Sequence, residues 1–190
     1  MTSNLIRPLE LNQRLTNKSL VLSSRHLDWN GILLEQYQSL STPSEIELPA
    51  LSDHWLTLHM GHPVHLTQNH DDRLHESIVQ KGDSIFVPAG QPSYRCRRGD
   101  SSCSLHILLK PELIEQVAEA SEIDRERLDL VNRFAKQDLQ LHHVAMLLLA
   151  ELHSARSSMG RLKEGVRLFP FRLNAVRCVD DSNFMKASGG

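Results

Sequence analysis

Eleven histidines are the residues here that could do chemistry in numbers. Six of them, His54, His59, His62, His65, His70 and His75, crowd the stretch between positions 54 and 75. A first-row metal would need several imidazoles and a carboxylate converging on one point. The local pattern speaks against convergence. In HWLTLHMG, Leu56, Leu58 and Met60 share one face, so if they point into a core, His59 points away. In VHLTQ, Val64 and Leu66 likewise turn His65 outward, and His62 and His70 fall in turns. The expectation is solvated histidines, no metal and no cofactor. Two polar groups are placed differently. His54 shares the face of Leu56 and Leu58, and Glu76 shares that of Leu74 and Ile78, the presumed inner face. A buried carboxylate there would need a partner, because burying a lone charge is costly.

Other catalytic signatures are missing. The chain has no nucleophile elbow, phosphate loop or paired-carboxylate motif. Its three cysteines, Cys96, Cys103 and Cys178, have neither the even count of a disulfide framework nor Cys-x-x-Cys spacing. Arg95, Arg97 and Arg98 flank Cys96, but a solvated hairpin tip, with Cys96 and Cys103 across it, explains that cluster without catalysis.

The elements that must position these residues are short strands. From Ser19 to Lys110 the text alternates strand and turn: SLVLSSRHL, an Asn30-Gly31 turn, GILLEQYQ, a Ser/Thr/Pro loop at 39–44, then HWLTLH, VHLTQ, LHESIV, SIFV, a strand near Tyr94–Cys96, and SLHILL. Many short strands spaced by turns indicate a β-barrel or sandwich. KGDSIFVPAGQP (81–92) is a buried strand pinned by Gly82 and by a Pro88-Ala89-Gly90 corner. After Lys110 the period changes to helical. Pro111 opens a helix with Leu113, Ile114, Val117 and Ala118 as its stripe. A second helix is expected from Asp124 through Leu128, Val131 and Phe134. A third covers 137–154. In it Leu141, Ala145, Leu148 and Leu152 form a seam that would serve packing on the barrel, a dimer contact, or both. Residues 1–18 read as an arm with a short helix around Leu9 to Leu15.

At 190 residues the chain suits one domain plus an extension. Its net charge of -2 is unevenly spread. Residues 155–190 carry seven Lys/Arg against three Asp/Glu, and the rest carries 14 against 20. There is no signal segment and no membrane-length apolar run, so a cytoplasmic protein is expected.

Two resemblances follow. Gly82, five residues, Pro88, any residue and Gly90 is similar to the frame of the second cupin motif. In metal-binding cupins that motif continues to a histidine ligand, and here the position holds Ser93. Glu76 stands near where the cupin metal-binding glutamate would fall. VLSSRHLDWNGILLEQYQ, KGDSIFVPAGQP, and ILLKPELIEQVA leading to LLLAELHS resemble the N-terminal regulatory domain of AraC-type transcription regulators, over about residues 20–154. The resemblance implies an α+β fold: a cupin-like β-barrel of jelly-roll type (19–110) followed by two or three helices that mediate dimerisation (111–154). It implies a small-molecule effector in the barrel, with His54, Glu76 and Ser93 as its polar contacts. It also implies a homodimer, or a mixed dimer with a full-length regulator, through Leu141, Ala145, Leu148 and Leu152. In that family a pair of helix-turn-helix units then reads DNA, which takes on the order of a hundred residues. Only 155–190 follow Ser154 here, an irregular basic tail that reads like text from another frame. The expectation is a truncated or frameshifted regulator that is not an enzyme, does not bind operator DNA alone and does not engage a membrane. The competing expectation is a small metal-dependent cupin enzyme, a dioxygenase or isomerase.

Overall fold

The computed structural model describes residues 5–27, 29–70, 73–123 and 130–163, with backbone alone at 70 and 157–163. Cys178 and most of the basic tail lie outside the described residues. The elements run α1 (Pro8–Arg14), β1 (Lys18–Ser23), β2 (Ile32–Ser39), β3 (Ser44–Leu48), β4 (His54–His59), β5 (Val64–His70), β6 (Arg73–Val79), β7 (Asp83–Val87), β8 (Ser93–Arg98), β9 (Ser102–Leu109), α2 (Pro111–Ala120), β10 (Arg133–Gln137) and α3 (Leu139–Lys163).

Two antiparallel sheets form. One has the order β1-β2-β9-β4-β7-β10 and the other β3-β8-β5-β6. Leave out the edge strands β1 and β10, and eight strands alternate between the sheets as two interlocked Greek keys. That order defines a jelly roll. Six connections, β2 to β3, β3 to β4, β4 to β5, β6 to β7, β7 to β8 and β8 to β9, carry the chain from one sheet to the other. Cys96 and Cys103 therefore sit in different sheets, not across one hairpin, and neither is in a disulfide. Tight corners need special residues. Gly82 takes φ +93° at the entry of β7. At Gly61 a Cβ would lie 2.7 Å from the Cys103 backbone nitrogen, so only glycine lets β4 and β9 approach there.

Both faces of the larger sheet are buried, and this decides where every strand residue points. Its outer face carries Leu34, Leu56, Leu58, Leu105 and Ile107, covered by Ala145, Leu149 and Leu152 of α3. Its inner face looks across to the smaller sheet. One end of that interior is filled by Tyr37, Leu48, Trp55 and Leu108 under Leu11 and Leu15 of the N-terminal arm. The arm is tied down by a parallel bridge from Ile6 to Leu51.

Several expectations change. The predicted second helix does not extend over Val131 and Phe134. Residues 133–137 instead form β10, an added edge strand pairing with β7, and 124–129 lie outside the described residues. Ser44, placed by the sequence in the 39–44 loop, opens β3, and 45–48, given no element there, complete it. The third helix continues to Lys163, so the first turns of the expected irregular tail are helical. Val117 of α2 is exposed and Ala118 is buried. The seam on α3 packs inward. Ala145 and Leu152 are fully buried against the chain's own sheet, and Leu141 and Leu148 pack beside them. Those four residues are therefore not a free dimer surface. No helix among the described residues is long and apolar enough to cross a membrane.

Candidate functional site

A cavity of about 60 Å³ lies between the sheets. Its polar wall is built by period-2 alternation on six strands, with Ser39 of β2 and Ser44 of β3 at its margin. β1 supplies Lys18, β4 supplies Thr57 and His59, β8 supplies Arg95 and Arg97, and β9 supplies Ser102 and Ser104. His106 lies just behind Ser104 on the same face of β9. Apolar lining comes from Val64, Leu66, Val79 and Ile85, of which Leu66 pairs with Arg97 and Ile85 with Thr57 across neighbouring strands.

Lys18 reaches the interior because β1 carries a bulge. Lys18 pairs with Ser39 and Leu20 with Tyr37, but Leu22 pairs with Gln36. The extra residue, Val21, resets the alternation, so Lys18 faces the cavity and Leu22 joins the core under α3. The Lys18 Nζ lies 3.1 Å from His106 Nε2 and 3.3 Å from Ser104 Oγ. An ammonium only donates, so His106 Nε2 accepts and its ring proton sits on Nδ1. That Nδ1 is buried and meets no partner.

Arg95 donates from Nη1 to Thr57 Oγ1 at 3.2 Å, and its guanidinium carbon lies 3.7 Å from the centre of the Trp55 ring. Stacking on an aromatic face holds the fork flat. Its Nε and Nη2 are shut away from solvent with no acceptor. Arg97 donates to the Leu40 carbonyl at 3.1 and 2.9 Å and to the Asp100 carbonyl, while its Nε has no acceptor. Among the described residues no Asp or Glu lines the cavity. Two guanidinium cations and the Lys18 amine thus share a small space with donors left over.

Burial and mutual repulsion show in the protonation equilibria. Burial, helped by the charges of Arg95 and Arg97, pulls the Lys18 ammonium down to about 7. Burial alone pulls Arg95 to about 9, which leaves it charged at neutral pH. Burial, with Lys18 and Arg95 nearby, holds His106 well below its ordinary value. His59 is lowered mainly by burial, partly offset by its 2.6 Å bond to the His62 carbonyl.

These shifts set a pH dependence. His54, His59 and His106 all have folded values below 6.5, so in acid the unfolded chain takes up protons that the native state refuses. Stability is then lost as pH falls below 6.5. Lys18 acts in the same direction higher up. Between about 7 and 10.5 the unfolded amine binds the proton more tightly, so stability rises with pH across that window. The urea midpoint should fall from pH 7 to pH 5. His106→Gln, which removes the group wedged among Lys18, Arg95, Tyr37 and Trp55, should flatten that fall. An unchanged slope in the variant would show that His106 does not carry it.

The residues proposed from sequence are not brought together. His54 lies on the outer face of β4. It stacks on Phe86 at 5.8 Å and its Nδ1 accepts the Ala89 N–H at 3.0 Å, so it pins the Pro88-Ala89-Gly90 corner. Glu76 is exposed on the outer face of β6, beside exposed Leu74 and Ile78. Ser93 is buried and shares the inward face of Arg95 and Arg97, and its cross-strand partner Leu48 lines the cavity, but Ser93 itself does not. His59, expected to point outward, lines the cavity. Lys18, Arg95, Arg97 and Ser104 were missed. The usable signal was the alternation in Ser93-Tyr-Arg95-Cys-Arg97, with Ser93 assigned inward.

A divalent cation does not fit this donor set. Among the described residues no group of three or more His, Cys, Asp or Glu could hold one, and His59 and His106 stand beside Arg95, Arg97 and Lys18. The strand order, edge-strand additions and two-sided burial give the fold. It is an α+β, cupin-like jelly roll.

No protein-family model matches the chain, and no curated protein matches it. Solved structures similar to it include an HTH_3 family transcriptional regulator from Vibrio cholerae, 16% identical, covering 50% of this chain and 52% of that one, with a TM-score of 0.40. A cupin superfamily protein from Desulfitobacterium hafniense is 13% identical over 50% of this chain and 79% of that one, also at 0.40. An oxalate decarboxylase of Bacillus subtilis is 13% identical over 64% of this chain, at 0.40. The chain spans about half the length of the regulator, and 37% of the decarboxylase.

Proposed function

We propose that the chain is the effector-sensing and dimerisation unit of an AraC-type transcription regulator, a binding module rather than an enzyme, with the cavity between the sheets as the effector site. The observation that carries this reading is the cavity itself. It lies between the sheets and joins apolar side chains to cations and hydroxyls with donors unspent. Such a wall orients a ligand. Its Ser102–His59 and Ser104–His106 pairs have no carboxylate among the described lining residues to orient the imidazole, and the metal that would make a cupin an enzyme does not suit its charge. Dimerisation falls to a different surface from the one the sequence suggested. The outward side of α3 keeps Val144 and Leu147 exposed, and a partner subunit, whether identical or a full-length regulator, would meet those. Reading of DNA would belong to a helix-turn-helix unit outside this chain.

The test is a chimera. The whole 190-residue chain is joined to a DNA-binding unit that represses a reporter only as a dimer. Repression is expected, and compounds that raise the chain's melting temperature should change it severalfold. A reporter indifferent to every stabilising compound would overturn the sensor reading, as would a metabolite screen that finds no stabilising compound.

A further inference from the structure

The cavity's charge balance names the class of its occupant, on the reading that it is a ligand site. Lys18 spends two of its three ammonium protons on His106 and Ser104. Arg95 leaves Nε and Nη2 unmatched, and Arg97 leaves Nε. Buried polar groups in folded proteins nearly always have partners, and charged ones most of all. No protein carboxylate supplies that partner among the described residues lining the cavity. Among the described residues the one buried carboxylate of the inner face, Glu35, is already held by Arg25, Ser23 and Tyr37. An anion is what the wall lacks.

The remaining wall narrows the choice. Val64, Leu66, Val79 and Ile85 present hydrocarbon where a fully charged inorganic ion would have no partner. The volume is small. At about 60 Å³ the cavity holds an occupant the size of roughly four to six waters. Arg95 lies flat on Trp55, and a planar fork suits a planar acceptor.

We propose that the cavity binds a short aliphatic carboxylate, its carboxylate taken by Lys18 and Arg95 and its hydrocarbon laid against Val64, Leu66 and Ile85. Arg97, anchored to two backbone carbonyls, adds positive potential at the head-group end and is the least free to move. The anion compensates cations that burial otherwise penalises. Ligand-free protein therefore holds its cations at a cost to stability.

The probes are butyrate, its neutral isostere butyramide, and inorganic phosphate, read by thermal unfolding and calorimetry on the 190-residue chain. Butyrate is expected to raise Tm by roughly 5–10 °C at a hundredfold its Kd. Butyramide and phosphate should give little. Lys18→Met and Arg95→Met should each weaken butyrate at least about 10-fold, with ligand-free Tm unchanged or raised, since each removes an under-partnered buried charge. Equal stabilisation by butyramide would overturn the anion assignment yet leave the cavity a ligand site. Phosphate binding as tightly as butyrate would overturn the carboxylate. No response to any of the three would overturn the proposal. So would a ligand-free Tm more than about 5 °C lower in both variants, which would make the cations part of the fold.

Discussion

Glu35→Ala is expected to cost about 3–5 kcal/mol of folding stability, the range for breaking one partner out of a buried ion pair. Glu35 has no solvent exposure at all. Its Oε1 takes the Arg25 Nε at 2.7 Å and the Ser23 hydroxyl at 3.1 Å, and its Oε2 takes the Tyr37 hydroxyl at 2.5 Å. The Tyr37 phenol is held far above its ordinary value, by burial first and by Glu35 second, so it stays a donor at every working pH. Removing the carboxylate strands that donor and a guanidinium that is only a quarter exposed. Glu35→Gln should cost less, because the amide oxygen can still accept from Arg25 while its NH₂ group opposes one of the other donors. Urea unfolding of the three proteins measures both steps. A loss under about 1 kcal/mol for the alanine variant would mean that the network contributes no more than an exposed pair.

The second large effect is at α3. Leu149→Ala should cost about 2–5 kcal/mol, the spread measured for leucines removed from well-packed cores. Leu149 is fully buried between the helix and the sheet residues Leu56, Leu58, Leu105 and Ile107. Leu147, two positions away, is 70% exposed, and Leu147→Ala should change stability by no more than about 0.5 kcal/mol. The pair of variants tells packing from pairing. If Leu147→Ala leaves monomer stability intact but weakens self-association, the outward face is the subunit contact. If Leu149→Ala is nearly neutral, α3 does not hold the barrel together.

Much of the fold was legible because strand signals are local. Eight strand segments, the Gly82 and Pro88 punctuation and Pro111 as a helix start all follow from backbone sterics and side-chain period, which neighbours in sequence decide. The elements that were missed or misread lie where local preference is weak. β10 spans RFAKQ, which has little to distinguish it from a helix until it meets the free edge of β7. β3, SEIEL, alternates clearly but follows a turn-rich stretch that masked its start. The cavity was legible only in part. Apolar alternation in β4 and β9 correctly separated two faces of each strand. It then pointed to the wrong one as the lumen, because the more hydrophobic face is the outer one, buried under α3.

Sequence alone determined that this chain builds short strands and then helices, and which residues share a face. Periodicity fixes that, because side chains on a strand must alternate wherever the strand lies. It also determined the corner glycines, since no other residue takes their φ cheaply. Tertiary structure alone decided which face became the interior. A helix covering the apolar side of the large sheet turned Thr57, His59, Ser104 and His106 inward, and one bulge at Val21 carried Lys18 in with them. That outcome depends on which surfaces meet across long sequence separations, and alternation within one strand is the same whichever side is covered.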